Sequence, residues 1–153
     1  MVRDIDGSLR QIRPTDTLWY LLYVATPPSS KRLEKQFRQR FRLPYGSFVN
    51  LASDISENVL FNRWTRKDAA GSSPSDIRLL VLGVFRFLGR AWTLDDISEA
   101  NGISIHTNNV FLKCFIKYGS TTLYEKWVLN HIRNDNISEQ ESIYRMAGFN
   151  GCI

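Results

Sequence analysis

Residues 93–104 constrain the fold of this chain more than any other segment. Thr93 can cap a short helix, and Asp96 follows three residues later, in the first turn of that helix. Gly102 stands where a left-handed turn is needed, a conformation that glycine adopts at little cost. Ser104 can then cap a second helix that runs to about Tyr118. A short helix, a glycine turn and a capped second helix predict a helix-turn-helix.

The second helix of this motif has an outer face without an acidic residue. Spacings of three, four and four residues place one polar set on this face: His106, Asn109, Lys113 and Lys117. Near the N-terminal end, Thr107 and Asn108 can also reach base edges, since asparagine can pair with adenine. Such a helix can enter the major groove of DNA, although a polar stripe is also typical of any solvated face. The position of Asn108 is usually apolar in this motif, so a rotated or degenerate recognition helix stays an alternative.

The positive charge of the chain is concentrated in residues 31–42. The chain carries a formal net charge of +5, and its pI is about 9.4. Residues 31–42 contain six bases and one acid, which gives 6 − 1 = +5, so the remainder is balanced. Helical spacing predicts an apolar stripe of Leu33, Phe37 and Phe41. It also predicts, on another face, a basic stripe of Lys31, Lys35, Arg38 and Arg42. This basic face can follow a phosphate backbone, or it can simply be solvated.

Helical patterns continue along the rest of the chain. A helix after Pro44 should bury Phe48, Leu51, Ala52 and Ile55, and residues 62–73 have the composition of a loop. Residues 73–76 predict the start of a helix that runs to about residue 88, is apolar on nearly every side and belongs at the centre of the core. Residues 121–133 and 138–147 predict two further helices, and residues 149–153 the start of a strand.

We therefore expect an all-α helical bundle that contains a helix-turn-helix, with a short strand-like C-terminal end. Its expected parts are a lead-in with an aromatic segment (1–30), the basic helix and the next helix (31–72), the helix-turn-helix core (73–120) and a helical connection (121–153). The two cysteines, Cys114 and Cys152, have no metal-like spacing and suit a reducing compartment. With no signal peptide and no long apolar run, the sequence predicts a soluble intracellular protein without a membrane partner.

No pattern in these residues predicts catalysis. Asp95 and Asp96 fall in a first helical turn, where carboxylates satisfy free amides, and Cys114 is expected to face the core. His106 and His131 have no neighbouring ligand set, and no phosphate-binding glycine loop or zinc spacing is present. We expect no catalytic site, no metal ion and no cofactor within this sequence.

Four stretches of the chain resemble the N-terminal region of PIF/Harbinger-type DDE transposases, especially the plant-transposon-protein group. They are FRQRFRLPYGSF (37–48), LLVLGVFRFLGRAWTLDDI (79–97), FIKYGS (115–120) and AGFNGCI (147–153). The resemblance implies a DNA-binding front part, found in the nucleus, ahead of an RNase H-like core that cuts and joins DNA with three carboxylates and divalent metal. In the family the first carboxylate follows the last of these stretches, so no catalytic residue is carried onto this chain. The resemblance thus implies a truncated copy or an incomplete gene model.

Two hypotheses follow. The first is a module that binds double-stranded DNA through the helix-turn-helix. The second is an interaction or assembly piece of a transposase, or a relic without function, in which the aromatic side chains Trp19, Tyr20, Tyr23 and Trp127 are exposed for docking; those four can equally well be core residues. Metal-dependent nuclease activity would need a longer product that contains the catalytic core.

Overall fold

The predicted all-α fold is confirmed. The structure is a computed structural model that describes residues 2–3, 9–10, 12–66 and 74–129. The chain forms two compact units, Met1–Cys114 and Phe115–Ile153. Within the described residues, extended structure is limited to a two-residue antiparallel pairing of β1 (Val2–Arg3) with β2 (Leu9–Arg10). The predicted strand-like end and the predicted helix over 138–147 lie outside the described residues.

The first unit is built mainly from five α-helices, the last of which continues into the second unit. They are α1 (Lys31–Phe41), α2 (Tyr45–Glu57), α3 (Ile77–Arg90), α4 (Leu94–Asn101) and α5 (Ile105–Tyr118). Three shorter segments accompany them: a 3-10 turn at Pro14–Asp16, a π-helix at Tyr20–Ala25 and a 3-10 helix at Val59–Trp64. The second unit contains two π-helical segments, Gly119–Leu123 and Glu125–Leu129. Gly119 was expected to end a helix, and it instead begins the first of these segments.

The basic helix α1 has the predicted amphipathic form. Ser30 caps it, because its hydroxyl accepts a hydrogen bond from the Leu33 amide at 3.3 Å. Phe37 and Phe41 are fully buried, as their spacing predicts. The helix ends at Arg42, which adopts a left-handed conformation with φ 61° and donates its amide to Arg38 O. Pro44 stands at the N-cap position of α2, where its carbonyl accepts from the Phe48 amide at 3.1 Å.

Helix α3 lies at the centre of the core, as predicted, but its ends differ from the prediction. Its N-cap is Asp76, whose carboxylate accepts from the Arg78 amide at 2.8 Å. Seven consecutive or nearly consecutive residues are buried: Ile77, Leu79, Leu80, Val81, Leu82, Gly83 and Val84. The helix was expected to run to about residue 88, but it continues through Arg90 and ends where Ala91 turns left-handed with φ 52°. The amide of Ala91 caps α3 by donating to the carbonyls of its last turn.

Part of the predicted loop after α2 is in fact helical and buried. Phe61 and Trp64 lie on the 3-10 helix and are 0% and 5% exposed. Their rings pack on that of Phe111 in α5, at centroid distances of 5.3 and 5.1 Å. The loop prediction over 62–73 is wrong for residues 62–64, because the polar composition of the segment outweighed Trp64, which packs beside Phe61 just before the predicted loop.

The aromatic side chains near the N-terminus belong to the core. Trp19 lies edge-on to Phe41 at 5.4 Å, and Tyr23 lies edge-on to Phe37 at 5.1 Å. Both are buried, so the hypothesis that they are exposed for docking is wrong, whereas Tyr20 is half-buried. Trp127 has no described side chain. Edge-to-face packing of this kind adds about 0.5–1.5 kcal/mol per pair to the stability gained from burial.

Gly83 allows the close approach of α3 to the helix-turn-helix. A Cβ atom at this position would lie 2.8 Å from Cγ2 of Ile97 in α4, closer than carbon atoms approach without movement. The same atom would lie 3.4 Å from the side-chain amides of Asn101 and Asn108. Only a glycine lets these three helices pack at this distance.

We expect Gly83→Ala to lower the free energy of unfolding by up to about 2 kcal/mol net. The overpacking penalty of about 1–3 kcal/mol outweighs the gain of about 1 kcal/mol from better helix propensity. Gly89→Ala is the matched control, because a Cβ there meets only Arg42 Cγ at an ordinary 3.6 Å. Urea unfolding of both variants measures the difference, and equal stability of the two would contradict this role of Gly83.

Candidate nucleic-acid interface

The helix-turn-helix predicted from the sequence is formed by α4, the turn at Gly102 and α5. Thr93 and Asp96 form a reciprocal capping box at the start of α4: the Asp96 amide donates to the Thr93 hydroxyl at 3.1 Å, and the Thr93 amide donates to the Asp96 carboxylate at 3.0 Å. The hydroxyl and amide of Thr93 also lower the pKa of Asp96 from its usual value. As expected, the Asp96 carboxylate serves the helix start.

The turn requires glycine for two reasons. Gly102 has φ 69°, in the left-handed region that side chains disfavour. A Cβ there would also lie 3.1 Å from the backbone of Ile12 and Pro14. The segment before the first 3-10 turn therefore lies against the helix-turn-helix turn and fixes its position.

The N-terminus of α5 is capped as predicted. The Ser104 hydroxyl accepts from the Thr107 amide at 3.2 Å, and the hydroxyls of Ser104 and Thr107 lie 2.9 Å apart. Thr107 is half-buried, and its hydroxyl is thus already paired within the cap. Ile105, at the first position of the helix, is 45% exposed, and apolar side chains of this kind can contact a thymine methyl group. The sequence analysis missed Ile105, since one exposed isoleucine beside a cap has no distinctive pattern.

Asn108 faces the core, and the prediction that it reaches base edges is wrong. It is 4% exposed, and its Oδ1 accepts from Asn101 Nδ2 at 2.8 Å. Its own Nδ2 donates to the carbonyls of Ile103 at 2.9 Å and Ser104 at 3.2 Å. Asn101 is fully buried and also accepts from the Ile103 amide at 2.9 Å. A hydrogen-bonded asparagine pair therefore replaces the apolar contact that is usual at this position. Because Asn108 is satisfied in the core, α5 does not have to rotate to bring this side chain to solvent.

The outer face of α5 presents the other predicted side chains. His106 and Lys113 are exposed, and Asn109 is half-buried beside them. The opposite side holds Phe111, which is fully buried, and Cys114, which is half-buried. Lys117 is exposed too, on the part of α5 that belongs to the second unit. The helix contains no acidic residue, so no carboxylate of α5 opposes a phosphate or a base edge.

The basic face of α1 is exposed along its length. Lys31, Lys35, Arg38 and Arg42 are all exposed. Three of them line an open groove of about 330 Å³ together with Glu34 and the start of α2: Lys31, Lys35 and Arg38, with Pro44, Tyr45 and Gly46. Arg42 lies apart from this groove, since its Cγ approaches Gly89 of α3. The structure therefore gathers three of the four predicted α1 bases at one site.

Three further arginines come together although the sequence analysis did not connect them. Arg86 and Arg90 lie one turn apart on α3, and both donate to the last turn of α1, near Arg40. Their spacing of four residues was a signal that they share a helix face. Their proximity to Arg40 depends on the packing of α3 on α1, and this packing cannot be predicted from a local sequence pattern.

Among the described residues, no group of three or more histidine, cysteine, aspartate or glutamate side chains is arranged to hold a metal ion. In that same part of the chain, no helix has the length and apolar character to span a membrane. Comparisons of the chain with protein-family models, curated proteins and solved structures found no match.

The buried and the outer asparagine of α5 should have separable roles. We expect Asn108→Ala to lower the free energy of unfolding by about 1–3 kcal/mol, because Asn101 Nδ2 loses its buried partner. Asn109→Ala, one residue along on the outer side, should change it by less than about 0.5 kcal/mol. Chemical denaturation of both variants measures this, and an Asn108 variant as stable as the Asn109 variant would show that the pair is unimportant.

Proposed function

We propose that this chain binds double-stranded DNA, with α5 of the helix-turn-helix placed in the major groove. The observation that carries the proposal is the division of α5 into two sides. One side is anchored by Phe111 and by the Asn101–Asn108 pair, and the other presents His106, Asn109 and Lys113 without an acid. A helix about 10–12 Å across fits a groove about 12 Å wide, so an outward polar face can reach base edges.

The basic face of α1 supplies the second part of the proposal. Lys31, Lys35 and Arg38 line one groove, and these exposed cations can contact phosphates. Phosphate contacts of this kind add affinity and make it salt-dependent, but they carry no sequence information. The choice among DNA sequences would then come from His106 and Asn109 of α5. Affinity for any DNA sequence would come from the basic face of α1, together with Lys113 and Lys117.

The biological setting of this binding follows from the sequence resemblance alone. A chain similar to the front part of a Harbinger-type transposase would act in the nucleus and read the terminal repeats of an element. We propose that these residues perform no catalysis, because the carboxylates of that family fall on no position of this chain. Cutting and joining of DNA would require the catalytic core of a longer product.

An assembly role is the second candidate, and one observation favours it. Leu18, Leu21 and Leu22 are 70%, 50% and 38% exposed around the π-helix Tyr20–Ala25. Exposed leucines close together in the chain are typical of a surface that contacts another protein. In this role the chain would pack on a transposase core or on a second copy, without contacting DNA.

Removing the two lysines of α5 distinguishes the two candidates. If α5 binds DNA, Lys113→Ala with Lys117→Ala should weaken binding to duplex DNA and lower the slope of log affinity against log salt by about two. Fluorescence anisotropy over a range of salt concentrations measures both. Lys31→Ala with Lys35→Ala, tested beside it, should weaken binding to all sequences equally, since α1 contacts only phosphates.

Arg63→Ala with Arg66→Ala is the matched control for charge. It removes two exposed cations that do not belong to α5, Arg63 on the 3-10 helix and Arg66 just after it, and changes the net charge equally. If this control weakened binding as much as the α5 variant, the chain would be attracted to DNA by net charge alone. If the α5 variant bound as the wild type does, α5 would not be the reading helix.

A further inference from the structure

Three arginine side chains meet where the C-terminal half of α3 packs on the end of α1. We call Arg40, Arg86 and Arg90 the arginine patch. Arg86 Nη1 donates to Arg40 O at 3.1 Å, and Arg90 Nη2 donates to Gln39 O at 2.8 Å. Arg40 Nη1 in turn donates to Tyr23 Oη at 3.2 Å. Each guanidinium is therefore held in place by one fixed acceptor.

An indole ring fixes Arg86 further. The Arg86 guanidinium carbon lies 3.6 Å from the centroid of the Trp92 ring, and Trp92 stacks on the buried Trp19 at 5.9 Å. Arg86 Nε is buried and has no hydrogen-bond partner within the described part of the chain. The stacked ring offsets part of that cost, since an aromatic face attracts a cation. The guanidinium is thus positioned before any ligand arrives.

The positive charge of the arginine patch is not balanced by the groups around it. Within the described ranges no ion pair joins Arg40, Arg86 or Arg90 to a carboxylate, whereas Arg78 pairs with Asp76 at 2.8 Å. The C-terminus of α1 contributes only about half a negative charge through its carbonyls. Burial, followed by the charges of Arg90 and Arg40, lowers the pKa of Arg86. The three guanidinium groups therefore leave an excess of more than two positive charges at the end of α1.

The hydrogen bonds described above use only some of the N–H donors of Arg40, Arg86 and Arg90. A guanidinium carries five N–H donors in a planar fork, and each of the three spends one on the acceptors named above. Arg40 and Arg90 are exposed and Arg86 is half-buried, so donors remain accessible from solvent. Planar forks of this kind match the geometry of phosphate oxygens, to which they can donate two parallel hydrogen bonds.

We propose that the arginine patch is a binding site for a phosphate group, and that this phosphate belongs to the DNA backbone. The assignment of the phosphate to DNA rests on the proposed function, whereas the binding of a phosphate does not. The loop from Ala91 to Thr93 joins the patch directly to the capped start of α4, so the site borders the helix-turn-helix in the chain. A phosphate held there would anchor the motif on the backbone beside the groove that α5 reads.

Titration with inorganic phosphate tests the site without DNA. At constant ionic strength, with chloride as the reference anion, we expect phosphate to shift the Arg86 Nε–Hε signal and the Trp92 indole signal in nitrogen–proton NMR spectra. Arg40→Gln with Arg90→Gln should weaken this binding by about threefold or more, because two of three charges are lost. The single variant Arg40→Gln leaves intact the hydrogen bonds from Arg86 and Arg90 to the end of α1. It should also weaken phosphate binding, and it replaces the double variant in the test if the double variant does not fold.

Arg63→Gln with Arg66→Gln is the matched control. Arg63 also lies over an indole ring, at 5.1 Å from the Trp64 centroid, but it belongs to the 3-10 helix Val59–Trp64 and not to the packing of α3 on α1. Phosphate affinity should be unchanged in this variant. No response to phosphate in the wild type, or an equal response in Arg40→Gln and the control, would overturn the site.

Salt titration of DNA binding tests the source of the phosphate. If the wild type binds DNA, the double variant Arg40→Gln with Arg90→Gln should lower the slope of log affinity against log salt by about one to two. An unchanged slope with intact phosphate binding would overturn the assignment to DNA and leave a site for a free phosphate. If neither the wild type nor any variant binds DNA, the proposed function is wrong. The phosphate titration alone then tests whether the arginine patch binds phosphate.

Discussion

The close contact of α3 with the helix-turn-helix at Gly83 is the constraint on which the rest of the described structure depends. The missing side chain lets Ile97, Asn101 and Asn108 lie against the backbone of α3. At that distance Asn101 and Asn108 hydrogen-bond to each other and to the turn at Ile103, so the two helices of the motif are fixed as one unit. Because Asn108 is held inward, His106 and Lys113 lie on the exposed side of α5.

This arrangement uses hydrogen bonds where apolar packing would be expected. A buried asparagine without partners would cost about 1–3 kcal/mol, so the pair is stable only while both members are present. The pair also specifies one helix register, because a rotation of α5 by one residue would separate Asn108 Oδ1 from Asn101 Nδ2. The polar contact therefore sets the orientation of His106, Asn109 and Lys113, from which the proposed reading of DNA follows.

The sequence predicted the local structure well, since local chemistry determines it. Thr93 and Ser104 cap the helices that they were expected to cap, and Gly102 adopts its left-handed turn. The apolar spacing of α1 and α3 identified the buried residues Phe37, Phe41 and Leu79 to Val84. The fold class and the existence of the motif were thus predictable from caps, turns and periodicity.

Errors arose where residues distant in the chain decide the outcome. Asn108 was assigned to the outer face because its polarity suggested solvent, whereas its partner Asn101 lies seven residues away across the turn. Trp19 and Tyr23 were candidates for exposure until their packing on α1 was known. The arginine patch combines residues from α1 and α3, and no local pattern links them. For the site, sequence reasoning found the exposed bases but not which of them share a surface.

In the proposed function, positive charge and sequence reading have separate roles. The basic face of α1 and the arginine patch would supply attraction to phosphates, and α5 would supply choice among sequences. The most direct test is to select sequences that bind the purified chain from a random duplex pool, with binding measured across salt concentrations. The account predicts a steep loss of affinity with salt together with an enriched sequence. No binding at low salt, or steep salt dependence without any enrichment, would contradict the claim that α5 reads DNA.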